Sequence, residues 1–172
     1  MLNVGDCVIY GSHGLCKVRD ILVPAFLEKG NEKQYYMMVS AVDAGSVIYV
    51  PVEGAEDKVR DVMSADDAEE LICEIEDVDE LDLPDGKKAE PEITGIIKRN
   101  IADEMMSLVK SLHKIKAMRE AEGKKFAALN EKYLNMAEKL LYTEMAFSLK
   151  TEKETIKDRV IEVLSGLPLE TI

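Results

Sequence analysis

The stretch Ser46 to Met63, SVIYVPVEGAEDKVRDVM, separates two kinds of hydrophobic pattern and limits what the chain can fold into. Val47, Ile48, Tyr49 and Val50 are β-branched or aromatic, and Pro51 ends the run by removing a backbone donor. Glu53-Gly54-Ala55 reads as a turn, and Val59-Arg60-Asp61-Val62 leads to a helix start at Ser64. Short strand-like segments precede this stretch, and helical periodicity follows it. A chain of 172 residues has room for one medium domain or two small ones, and the change of period favours two.

Before the switch, Val4-Gly5-Asp6-Cys7-Val8-Ile9-Tyr10 reads as a turn and a short strand. Gly11-Ser12-His13-Gly14 is a tight turn whose glycines supply positive φ. Leu15 to Ile21 alternates apolar and polar, the period of a half-buried strand. Pro24 to Lys33 is a loop. Gln34 to Val39 is a third strand, turned by Asp43-Ala44-Gly45 into a fourth at Ser46. Four or five short strands in so few residues predict a small, strongly bent antiparallel sheet or partial barrel. Its exposed edge is a template for another protein's strand, with Gln34–Val39 and Ser46–Val50 the most apolar candidates.

After the switch, Ser64 and Asp67 form a capping pattern, and Ala68, Leu71, Ile72 and Ile75 make one apolar helix face. Beyond Glu76 the pattern fails. Asp77, Asp79, Glu80, Asp82, Pro84, Asp85 and Gly86 predict a flexible, self-repelling linker. Ile97, Ile101, Met105, Leu108, Leu112 and Ile115 predict one long helix, broken at Gly123. Phe126, Leu129, Tyr133, Met136, Leu140 and Phe147, beside Leu134, Ala137, Leu141 and Met145, give the wide apolar surface of a central bundle helix. Thr151 to Glu154 reads as a capping box for a last helix through Ile156, Val160, Val163 and Leu164, stopped by Gly166 and Pro168. The expected divisions are 1–62, 63–92 for an acidic helix and linker, and 93–172 for an all-α bundle. The fold class is α+β.

The formal net charge of −12 is unevenly spread. Residues 1–63 carry −3, residues 64–92 carry −11, and residues 93–172 carry +2. Chain-wide acidity therefore leaves room for a nucleic-acid partner on a local basic surface. Lys98, Arg99, Lys110, Lys114, Lys116, Arg119, Lys124 and Lys125 outnumber the acids of residues 98–125 by four. They read either as an ordinary mixed-charge helix face or as a track for phosphates.

Val4-Gly5-Asp6, Val8, Tyr10 and His13-Gly14, with the later Val50-Pro51-Val52, Ala55-Glu56 and Val59-Arg60-Asp61-Val62, resemble the two signatures of the CarD-type transcription regulators. A similar module occurs in the transcription-repair coupling factor. The resemblance implies a Tudor-like N-terminal domain that binds the β subunit of bacterial RNA polymerase, with Val47, Ile48 and Tyr49 as polymerase contacts. The family often has a basic residue before Val-Pro, where this chain has Tyr49. The resemblance also implies a helical domain near promoter DNA, with Lys87, Lys88, Lys110, Lys114, Lys124 and Lys125 as contacts. It places a DNA-wedging tryptophan near Asp85-Gly86, but the chain contains no Trp. DNA binding is accordingly expected to be weak and without sequence preference. The alternative is a protein-interaction module that binds polymerase or another protein without touching DNA.

Other functional classes find little support. Cys7, His13, Cys16 and Cys73 lack the spacing of a four-ligand zinc site. His113 reads as a surface helix residue. No nucleophile elbow, P-loop or dinucleotide fingerprint occurs, so neither catalysis, a cofactor nor a small-molecule substrate is expected. No apolar run reaches membrane-helix length, and the N-terminus lacks signal-peptide character. Three cysteines, an odd number, fit a reducing, cytoplasmic setting.

Overall fold

The computed structural model describes residues 1–30, 32–84 and 86–167. The chain divides into two compact units, Met1–Val62 and Met63–Ile172.

The first unit is a curled antiparallel half-barrel. Its strands are β1 (Cys7–Ile9), β2 (Leu15–Leu22), β3 (Tyr35–Ser40), β4 (Val47–Pro51) and β5 (Arg60–Asp61). They form one sheet in the order β4-β3-β2-β1-β5. The hairpin between β1 and β2 turns on Gly11 and Gly14, at φ 44° and 67°. Alternation along β2 breaks at a bulge: Val18 pairs with Met38 and Asp20 with Met37, which leaves Arg19 as the extra residue. The bulge shifts parity, so Cys16 and Val18 face the core before it and Ile21 packs on that core after it. It also adds local twist, which bends the sheet around a small interior. That interior is Val8, Cys16, Val18, Tyr36, Met38, Val50 and Ala55. The Tyr36 hydroxyl, at the core's margin, accepts the Leu2 N–H at 3.0 Å. The α+β class and the small bent sheet agree with the sequence.

The second unit contains α1 (Ala65–Cys73), α2 (Glu90–Arg99), α3 (Ala102–Ala121), α4 (Ala128–Leu149) and α5 (Lys153–Ser165). Ser64 caps α1 as its sequence pattern indicates: its Oγ accepts the Asp67 N–H at 3.0 Å, and Asp67 returns the bond to the Ser64 N–H. Ala68, Leu71, Ile72 and Ile75 are buried. α4 packs against α1, α3 and α5, the central position that its broad apolar surface predicts.

Three expectations need correction. The stripe from Ile97 to Ile115 is not one helix. Asn100 takes a left-handed conformation, φ 48°, which ends α2, and Ile101 becomes an exposed N-cap residue of α3. Asparagine is among the few non-glycine residues that adopt this conformation readily. The Thr151–Glu154 capping box does not form. Lys150 turns left-handed and the Thr151 N–H closes α4 on Ala146 O at 3.0 Å, so Glu152 becomes the N-cap of α5. The acidic segment belongs to the same compact unit as the helices that follow it, rather than forming a free linker before residue 93. Lys110 Nζ holds Glu76 O and Val78 O at 2.8 and 2.7 Å, and Ser111 Oγ accepts the Leu81 N–H at 2.8 Å. Asp85 and Pro168, invoked as a linker and a stop residue, lie outside the described residues.

Candidate macromolecular interfaces

β4 is an edge strand, paired on one side with β3 alone. Its register sets Val47 against Val39, Ile48 against Met38, Tyr49 against Met37 and Val50 against Tyr36. Ladder bonds join Val52 N–H to Gln34 O at 3.0 Å and Ser40 N–H to Ser46 O at 3.2 Å. In an antiparallel ladder such bonds recur at every second residue, so Ile48 and Val50 also turn their backbone groups to β3. The N–H and C=O of Val47 and Tyr49 then point off the open side. Pro51 contributes only a carbonyl there. The strand carries no charged residue, the usual protection of an exposed edge.

The side chains divide in the same way. Val47 and Tyr49 are exposed, at 49% and 39%. Ile48 packs inward against the core cluster. The predicted trio is thus corrected to two outward side chains, with Ile48 contributing only from inside. Phe26, which sequence reading left in an unassigned loop, lies against Tyr49 edge-to-face with ring centroids 5.3 Å apart, and against Tyr35 at 6.1 Å. It is 64% exposed. A large aromatic in a Gly- and Pro-containing loop is the available signal for it. Val47, Tyr49 and Phe26 form an apolar patch beside the open backbone edge.

Within the first unit, Cys7, Cys16 and His13 lie on other elements than β4. Cys16 is in the core, where burial pushes its thiol up to about 11. His13 is exposed and stacks on Tyr10. Among the described residues no group of three or more His, Cys, Asp or Glu is placed to hold a metal ion. Among the same residues no helix is long and apolar enough to cross a membrane.

In the helical unit the lysines named from sequence take three different positions. Lys110 is 5% exposed, with its ammonium on two backbone carbonyls. Lys114 is largely covered and pairs with Glu80 at 2.7 Å. Neither presents an open ammonium, which corrects the expectation that both face DNA. Lys87 and Lys88 are exposed in a short 3-10 turn over Gly86–Ala89. Lys124 and Lys125 are exposed in the turn between α3 and α4, where Lys124 also meets Glu122 at 2.7 Å.

These last four are joined by others at one end of the unit. Lys116 Nζ lies 6.0 Å from the Phe126 ring, next to Lys125. Lys132 on α4 lies over Tyr133, and the Tyr133 hydroxyl donates to Glu90 at 2.6 Å, which ties the Gly86–Ala89 turn and α2 to the start of α4. Sequence reading missed Lys132 because only tertiary packing brings it to this end. At the opposite end, a groove of about 620 Å³ is lined by Asp67, Glu70, Glu74, Asp77, Asp79 and Asp103. Acidic and basic surfaces are thus separated along α3, whose twenty residues span about 30 Å. Asp103 and Glu104 stand at its N-terminus and Arg119 in its last turn, the arrangement its dipole favours.

Residues 2–63 match the CarD-like/TRCF RID domain family. No curated protein matches the chain. The matched span coincides with the half-barrel, Met1–Val62, that carries the open β4 edge and its aromatic patch. The N-terminal unit is therefore a CarD-like/TRCF RID domain, an RNA polymerase-interacting module.

Proposed function

We propose that the protein is a transcription regulator that docks on the β subunit of RNA polymerase through β4 and brings the basic end of its helical unit to promoter DNA. The observation that carries the docking is the open β4 edge. Val47 and Tyr49 direct their N–H and C=O groups outward, on a strand without charge, inside the family-matched domain. An extended strand added there gains backbone hydrogen bonds, and Val47, Tyr49 and Phe26 supply apolar contact.

Val47→Pro tests this cleanly. The substitution removes an outward N–H without touching the ladder to β3, a position where proline is tolerated. Retention of the full-length variant on its own organism's polymerase should fall at least tenfold, on the order of one lost interfacial hydrogen bond plus displaced contacts. Unchanged retention, with the fold intact, would remove β4 from the docking site.

Lys87, Lys88, Lys116, Lys124, Lys125 and Lys132 form the surface offered to phosphates. The chain carries −12 overall and lacks any Trp to wedge a base step, so its own DNA affinity is weak and insensitive to sequence. Tethering to polymerase raises the local concentration to the order of mM, where such a surface becomes useful. The same two facts favour the second reading, a protein-interaction module that never meets DNA. Changing Lys87, Lys88, Lys124 and Lys125 to Glu distinguishes them. Promoter-complex lifetime shifts toward that of polymerase alone on the first reading and is unmoved on the second.

A further inference from the structure

We infer that the acidic segment 76–82 is an autoinhibitory strap, which occupies in cis a Ser/Lys stripe of α3 that duplex DNA would otherwise contact. The inference rests on the reading that the helical unit meets DNA, and adds to it a second face and a control. Ser107, Lys110, Ser111 and Lys114 fall at i, i+3, i+4 and i+7 of α3, a single row on one side of the helix. Hydroxyls and ammonium groups are the side chains that position a protein on phosphates. Here the first three residues of the row are 9%, 5% and 3% exposed.

Residues 76–82, which carry five carboxylates, lie over Lys110, Ser111 and Lys114, while Ser107 lines the acidic groove beside Asp77 and Asp79. Glu76, Asp77, Asp79, Glu80 and Asp82 are all exposed, so the strap turns its charges to solvent while its backbone lies on the row. Four contacts hold it: Lys110 Nζ to Glu76 O and Val78 O, the Leu81 N–H to Ser111 Oγ, and Lys114 Nζ to Glu80 Oε2. Burying an ammonium requires that its lost hydration be replaced, and a long apolar residue at position 110 would wall off the helix without that requirement. A polar row beneath a polar strap suits a cover that can be exchanged for another anion. Met105, Leu108 and Leu112, fully buried on the same helix, are not members of the row. When closed, the strap covers Lys110 with backbone carbonyls, pairs Lys114 with Glu80 and presents carboxylates to approaching DNA. When displaced by a tethered duplex, it releases two more phosphate contacts.

The test uses the full-length protein and the double variant Glu80→Gln, Leu81→Pro, which removes the Lys114 ion pair and the N–H bonded to Ser111. Reductive methylation, read by mass spectrometry, reports whether Lys110 is covered. Binding to a short synthetic duplex across a salt series reports the stripe. In the wild type, Lys110 should be protected while Lys124 and Lys125 react. In the variant, Lys110 should become reactive, duplex affinity should rise roughly tenfold or more at about 0.1 M salt, and the log–log salt slope should steepen by about 1.8, the value for two added phosphates. Adding Lys110→Met and Lys114→Gln to the variant should cancel the gain. If Lys110 becomes reactive and affinity and slope stay put, the stripe is not a DNA site. If Lys110 stays protected without those two contacts, the strap is a fixed wall and the inference also falls. Wild-type binding lost on Lys124→Glu, Lys125→Glu, with no gain in the opened variant, overturns the strap alone. No binding by either protein overturns the DNA reading with it.

Discussion

Cys16 and Glu144 are both fully buried titratable residues, and they are buried by opposite means. Cys16 lies in the half-barrel among Val8, Val18, Tyr36 and Met38, where burial alone keeps its thiol protonated. Glu144, on α4, turns Oε1 to the Met63 N–H at 2.9 Å, one turn from Ser148, whose Oγ donates to Met63 O at 2.7 Å. Lys110 and Glu138 extend that second style, each buried against named polar partners. The N-terminal unit keeps its charges outside and offers a backbone edge for recognition. The helical unit builds part of its interior from hydrogen-bonded Glu and Lys side chains. A core of the first kind depends on area and shape, and conservative changes leave it standing. One of the second kind depends on particular atoms, and losing one strands its partner.

The largest expected effect follows from that contrast. Glu144→Ala leaves a cavity on α4 and removes the acceptor from the Met63 N–H, and should destabilise the helical unit by about 3 kcal/mol. Met38→Leu, at an equally buried site in the half-barrel, conserves volume and should cost less than about 1.5 kcal/mol. Urea unfolding of the full-length variants, followed by amide hydrogen exchange in each unit, measures both. Equal losses would erase the distinction between the two interiors. Ser64→Ala comes next. It removes the cap from the Asp67 N–H at the start of α1 and should cost about 1 kcal/mol, with faster exchange confined to the first turn.

The same contrast explains what was legible in the sequence. The half-barrel is built from local devices: alternation along β2, glycines at the hairpin and Pro51 at the end of β4. Each leaves a mark within a few residues, so β1 to β4 and the open edge could be read directly, whereas β5 (Arg60–Asp61) reads in sequence only as the lead into α1. Ile48 was misplaced because a run of four apolar residues conceals which of them face inward. Phe26 reaches the patch only through tertiary contact with Tyr35 and Tyr49. In the helical unit the apolar faces of α1 and α4 were legible from spacing. The break at Asn100 was not, because Ile97 and Ile101 keep a helical interval across it. Lys110 and Lys114 were misread because a lysine's exposure depends on what crosses over it. The residues that cross, 76–82, have the composition of a linker and are held by backbone carbonyls that no side-chain pattern encodes.

The smallest expected effect concerns acid. Glu138, on α4, is 6% exposed, with Oε1 2.6 Å from His113 Nε2 and Oε2 3.6 Å from Lys157 Nζ. Burial is the largest influence on it and pushes the carboxyl up. The hydrogen bond and charge of His113, helped by Lys157, outweigh burial and leave it below its ordinary value of 4.5. A carboxylate held lower in the folded protein than in the unfolded chain contributes stability above the unfolded value. That contribution fades as pH falls through the folded one. Acidification from about pH 4.5 downward should therefore weaken the helical unit, modestly, because the opposing influences leave only their difference. Asp67 and Glu69 are lowered as well, by Ser64 and by Arg159, but both are exposed and their pairs are screened by solvent. Glu138→Gln keeps the size of the side chain and removes its charge. It should lower stability at neutral pH and flatten the acid limb, seen as protection of α3 and α4 amides, taken relative to the intrinsic exchange rate at each pH, that no longer falls with acid as the wild type's does. If wild type and variant lose stability in parallel, the exposed pairs carry the acid response. Buried charge then distinguishes the helical unit from the half-barrel in packing but not in its response to pH.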